Sequence, residues 1–224
     1  MIKSTRQRPM FRLLVLLKLT LLLASCGPKR TPSLGAIQPD ITADKYQLIL
    51  ETWTRSDKIY NSLDERLFIT ATYHSPEFRK AFAIAFPEIY GHGGTVTRRE
   101  LVDLTGNVEH YHTFFVAAYT PNIKWNDLDK DDSIWRLALL GENNVEVQPE
   151  KIVRVKVDEN LKIVYPYIGR FDAIYLIRFP LIDELGKPVI RPDSNHFRLR
   201  IVSALGTAEP TWKLSPAAPT LLSD

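Results

Sequence analysis

The loop after Trp125 reads Asn126-Asp127-Leu128-Asp129-Lys130-Asp131-Asp132-Ser133, and its alternating carboxylates are the first candidates for chemistry. Asp127, Asp129 and Asp131 repeat the spacing of the first three ligands of a calcium loop, because alternate acids in a tight turn can converge on one hard cation. Asp132 stands where the turn glycine belongs, and Ala138 where the closing bidentate glutamate would sit. The segment is therefore no EF-hand. It is either a looser calcium site or a solvated acidic hairpin between strands at 114–119 and 134–140. His110-Tyr111-His112 opens a strand, so alternation sends both imidazoles to one face, where they could share a zinc or copper ion. Such a centre needs at least three protein ligands. His74, His92 or His196 would supply the third only through folding; without one, the pair is strand decoration.

Other candidate motifs are incomplete. Gly91-His92-Gly93-Gly94-Thr95 lacks the preceding strand, the lysine and the long following helix of a phosphate-binding loop. Neither a G-x-S-x-G elbow nor an H-E-x-x-H helix is present. Trp125 and Trp135 flank the acidic loop, and Tyr165-Pro166-Tyr167 lies further on; these aromatics suit core packing or a contact surface.

Strands must position these groups. Period-two alternation recurs at 67–73, 114–119, 135–139, 153–157, 174–179 and 197–201. A first strand near 48–53 and a last near 211–214 bring the expected number to about eight. Without regular βα alternation, the fold class expected is mainly β: an antiparallel β-sandwich, immunoglobulin-like or related. Val153, Val155 and Val157 interleaved with Arg154 and Lys156 read as core-in, water-out. Ser75-Pro76-Glu77 opens a helix with Phe78, Phe82 and Phe86 at spacing four, and Thr97 with Glu100 opens a second. Residues 75–106 are thus expected to form a small helical insertion on the edge or end of the sandwich.

The first 26 residues concern location. Lys3, Arg6, Arg8 and Arg12 precede an apolar run from Leu13 to Ala24, broken by Lys18 and Thr20. That is a basic leader and a greasy segment too short to span a bilayer. It ends Leu23-Ala24-Ser25-Cys26, and here the chain resembles the bacterial lipoproteins, in which such a lipobox is cleaved before a cysteine that carries fatty acyl chains such as palmitate. The resemblance implies that Cys26 is the lipidation site and the mature N-terminus. Gly27, in place of an aspartate, implies the outer membrane of a Gram-negative envelope. Cys26 is the only cysteine in the chain, so it has no intramolecular disulfide partner.

Cleavage would also change the charge. The whole chain has 29 basic and 26 acidic residues. Residues 1–25 contain five basic groups and no acid, leaving 24 and 26, a net of −2. A weakly acidic body has no basic footprint for nucleic acid. The expected organisation is a signal peptide at 1–25, a lipidated terminus and proline-rich tether at 26–44, a sandwich domain at 45–214 and a tail at 215–224. The expected role is a non-catalytic envelope module, held to membrane lipid through Cys26 and binding a protein or polysaccharide. The alternatives are a calcium-stabilised adhesion module using Asp127, Asp129 and Asp131, and a metal-dependent envelope hydrolase built on His110 and His112.

Overall fold

In the computed structural model residues 43–86, 110–143 and 145–214 are described, and all fall within one compact unit, Pro39–Asp224. The lipobox, the glycine-rich stretch from Gly91, the helix expected from Thr97 and the tail lie outside the described residues.

Helix α1 spans Ala43–Trp53. Tyr46, Ile49 and Leu50 share one helical face and are buried, while Leu48 points to solvent. The strand expected near 48–53 is therefore helical, because its apolar residues follow a period of 3.6 once Tyr46 is counted. Extended structure begins at Thr54, with β1 (Thr54–Asn61) turning into β2 (Asp64–Tyr73). Helix α2 (Pro76–Ala85) starts as expected: the Ser75 hydroxyl caps it, accepting from Phe78 N at 3.0 Å, and proline occupies the first turn. There follow β3 (Tyr111–Tyr119), β4 (Arg136–Gly141), β5 (Glu146–Val147) and β6 (Lys151–Val155). Helix α3 (Glu159–Val164) was not foreseen; its cap is Asp158, which accepts from Leu161 N at 2.8 Å. The chain continues through β7 (Ala173–Pro180), β8 (His196–Ser203), β9 (Gly206–Ala208) and β10 (Thr211–Lys213).

The strands form two antiparallel sheets, one in the order β1-β2-β3-β7-β6 and the other β10-β8-β4-β5, with β9 also paired to β8. The protein is mainly β, with the sandwich that the alternation predicted. Between the sheets lies one core of alternate side chains, among them Phe114, Val116, Tyr175, Ile177, Leu199 and Trp212. The opposite side chains of β3 and β7 (Phe115, Ala117, Ile174, Leu176) are also buried, under a layer made by the three helices. Strands covered on both faces lose their polar alternation, which is why 114–118 and 173–177 read as nearly continuous apolar runs.

Three expectations are corrected by this layering. Helix α2 packs on the outer face of the first sheet beside α1 and α3, rather than on an edge or end, because Phe78, Ala81 and Phe82 give it a full apolar face to bury. The loop carrying the acids joins β3 of one sheet to β4 of the other, so it is a crossover and no hairpin. In β6 it is Ile152 that packs into the inter-sheet core, while Val155 and Val157 pack toward the helices and Val153 is exposed. Arg154 shares the Ile152 side: its guanidinium lies 5.8 Å from the Tyr175 ring and donates to Asn126 O at 3.0 Å. At an edge strand a long cation can reach round to such partners, so the valine–arginine alternation inverts.

One flank of the sandwich is drawn together. Gly206, at φ 139°, lets β9 approach β1 so closely that a Cβ there would stand 2.6 Å from Ile59 Cγ2. Beside it Glu209 N donates to Asp57 Oδ2 at 2.6 Å. On the other flank the chain crosses from β5 in one sheet to β6 in the other within a few residues.

Candidate functional site

One acid of the crossover loop, Asp127, is engaged in building it. Asp127 Oδ1 accepts from Ser133 Oγ at 2.9 Å, and Asp127 O accepts from Lys130 N at 2.8 Å. The loop is pinned from below by buried Leu128 and by Trp135, whose Nε1 donates to Trp125 O at 2.8 Å. Asp129 is half-buried and lies 3.8 Å from Lys130 Nζ, whereas Asp131 is exposed. Among the described residues no three of His, Cys, Asp or Glu come together as a group that could hold a metal ion. Asp127, Asp129 and Asp131 are therefore not assembled as a ligand set in this structure.

His110 and His112 are also kept apart. His110 is exposed in the turn before β3, whereas His112 is buried, at 8% exposure, in the strand itself. His112 Nδ1 shares a hydrogen bond with the Tyr73 hydroxyl at 3.0 Å, and its Nε2 is buried with no hydrogen-bond partner among the described residues. Burial first, and then the nearby Arg79 cation, lower the His112 pKa from 6.5 to about 4. Burial likewise raises Tyr73 to about 12, a shift that Arg79 partly opposes. Both rings are thus neutral near pH 7, and Tyr73 joins His112 to an aromatic cluster with Trp53, Phe114 and Phe197 through tilted and edge-on contacts. The cluster closes that end of the sandwich.

A more open feature lies on the flank where β5 gives way to β6. A groove of about 620 Å³ runs between Val145–Gln148 and the loop that follows β7, with Glu150 and Pro180 also in its lining. The apolar groups along it are unusually bare: Ile182 is 53% and Leu185 79% exposed. Strand β5 is the end strand of its sheet. Gly141 N donates to Val145 O at 3.1 Å, so in the alternating antiparallel ladder the backbone N–H and C=O of Glu146 point away from β4, toward the open edge.

The charged groups of the groove are all acidic. Asp183 builds the loop, its Oδ1 accepting from Leu185 N at 2.9 Å and Lys187 N at 2.8 Å around Gly186, whose φ is 75°. Glu146 is engaged by Arg200 at 3.1 Å. Glu150 and Glu184 make no ion pair among the described residues, which leaves two exposed carboxylates beside an apolar channel. None of these residues was singled out from the sequence. The signal present was the Asp183-Glu184-Leu185-Gly186 turn, which pattern reading recognises as a turn but cannot connect to β5, 36 residues earlier.

Compared with known protein families, curated proteins and solved structures, the chain finds no match in any of the three.

Proposed function

We propose that this protein is a lipid-anchored, non-catalytic binding module of a bacterial cell envelope, and that its groove between β5 and the β7–β8 loop takes an extended peptide segment of a partner protein. The observation that supports the reading is the combination in one place of an open strand edge, exposed apolar side chains and two carboxylates, Glu150 and Glu184, that make no ion pair among the described residues. An added strand satisfies the outward backbone groups of Glu146. Alternate side chains of that strand fill the space beside Val147, Ile182 and Leu185, and a lysine or arginine between them meets Glu150 and Glu184. The anchor in this reading is Cys26, acylated after cleavage of the leader, with residues 27–42 as a spacer to the body.

Hexapeptides in which one arginine is flanked by valine and leucine test the groove, with the arginine replaced by glutamate as the control. The arginine peptide is expected to bind about tenfold more tightly, equivalent to roughly 1.4 kcal/mol, and to lose that advantage in the Glu150→Lys/Glu184→Lys variant. Equal binding of the two peptides, or an advantage that survives the double charge reversal, overturns the docking site. Mass spectrometry of the mature N-terminal peptide tests the anchor: acyl chains on Cys26 support it, and a free thiol there removes it.

A further inference from the structure

At the end of the first sheet opposite the His112 cluster, none of the described helices covers the outer face. The register shows how this comes about. On β1, β2 and β3 the outward side chains form successive cross-strand rows: Thr54–Thr72–Phe115, then Ser56–Thr70–Ala117, then Lys58–Phe68–Tyr119. The first row is sealed. Thr54 Oγ1 and Thr72 Oγ1 are 2.7 Å apart, Thr72 Oγ1 is 2.7 Å from the Tyr167 hydroxyl, and Phe115 is stacked 3.7 Å from Tyr165. Among the described residues the third row has no such cover. Lys58 is exposed, Phe68 and Tyr119 are half-exposed, and the loop before β7 adds Arg170 and Phe171, the latter 70% exposed. Together these residues line an open pocket of about 330 Å³.

The chemistry of this pocket is that of an aromatic floor with cations held against it. Lys58 Nζ stands 4.7 Å from the Phe68 ring centroid, and the Arg170 guanidinium 5.7 Å from that of Phe171. Neither cation makes an ion pair among the described residues. Two carboxylates also stand in the lining, each holding one hydrogen bond to its own neighbourhood. Asp172 Oδ2 accepts from Gly169 N at 2.7 Å, and Glu65 Oε1 accepts from the Tyr60 hydroxyl at 3.3 Å. The pocket therefore presents partly exposed rings, each of Phe68 and Phe171 with a cation beside it, and the ring edges and remaining faces are open to a ligand.

We propose that this pocket binds a carboxylate-bearing sugar residue of a glycan chain. The C–H face of a pyranose ring is apolar and lies flat on aromatic rings, while its rim of hydroxyls stays in water. A carboxylate on the ring adds charge-assisted hydrogen bonds to Lys58 and Arg170, which a neutral sugar cannot make. An open pocket admits a residue inside a longer chain as readily as a chain end. A broad anionic lipid surface fits less well, since Asp64, Glu65 and Asp172 stand among the cations of this end. The site is separate from the peptide groove and does not depend on it.

Titration calorimetry of the full chain with a galacturonic acid trisaccharide, against the galactose trisaccharide, tests the proposal. The acidic sugar is expected to bind at least about tenfold more tightly. Phe171→Ala should weaken both sugars, and Lys58→Ala/Arg170→Ala should erase the difference between them. All these side chains are at the surface, so an unchanged thermal midpoint shows that the variants are folded. Absence of saturable binding to the acidic trisaccharide overturns the site, as does equal affinity for the two sugars or a preference that persists in the double variant. Vesicles of phosphatidylglycerol form a last arm: binding to them that is lost with Phe171→Ala, while no sugar binds, would reassign the pocket to lipid.

Discussion

The two ends of the first sheet use similar side chains to opposite effect. At one end Trp53, Tyr73, His112, Phe197 and Trp212 are packed on one another, with Trp212 Nε1 donating to Trp53 O and Trp53 Nε1 to Glu77 Oε2. At the other end Phe68, Tyr119 and Phe171 have cations for neighbours and solvent above them. Aromatic rings contribute to stability through the area they remove from water and the contacts they make. The closed end is where these rings hold the fold together. At the bare end they are exposed or half-exposed, beside cations that make no ion pair among the described residues.

The sharpest way to break this contrast is to truncate a ring at each end. Trp212 is fully buried, stacked 5.2 Å from Phe197 and tilted against Phe114 at 5.3 Å. Trp212→Ala should cost about 3–5 kcal/mol of stability in denaturant unfolding, and a loss below ~1 kcal/mol would show that the closed end is loosely packed. A somewhat smaller effect is expected from acid. His112 keeps its proton off until about pH 4 in the folded protein, whereas the unfolded chain takes it up near 6.5. Its contribution is fully present above pH 6.5 and is lost as the pH falls toward 4, by roughly 3 kcal/mol in total. His112→Phe should flatten that part of the stability–pH profile, and an unchanged slope between pH 6.5 and 4 would show that the ring is not desolvated. Smallest of all is the counterpart at the bare end: Phe171→Ala should shift stability by no more than ~0.5 kcal/mol. A loss as large as that of Trp212→Ala would mean that the exposed ring holds the loop in place, which would erase the distinction.

Much of the sandwich was legible because alternation survives wherever one face meets polar surroundings. In β8, Phe197, Leu199 and Ile201 face in and Arg198 and Arg200 face out, as read from the pattern. The pattern misled where a third layer intervened. With helices on its outer face, the first sheet holds side chains such as Phe115 and Leu176 that alternation alone would assign to solvent, and α1 supplies the residues that were mistaken for a strand. Edge geometry caused the other miss, since nothing local tells Arg154 to turn toward the Tyr175 ring. The candidate sites were less visible still. The acids at 127–131 and the histidines at 110 and 112 stood out because they are close in sequence; the fold holds Asp127 and His112 in hydrogen bonds and leaves Asp131 and His110 exposed. The groove and the aromatic pocket join residues from segments far apart in the chain, so that only strand register brings Lys58, Phe68 and Tyr119 into line.

The approach of β9 to β1 at Gly206 has a consequence for how copies of this protein meet. An unprotected sheet margin on each side would let one molecule pair with the next and the next again, the route to filaments. Here one margin is zipped shut by a glycine contact too tight for any side chain, together with the Asp57–Glu209 bond. At that seam β9 stands too close to β1 for a further strand to enter between them, so this stretch resists the edge pairing that would extend one molecule into the next.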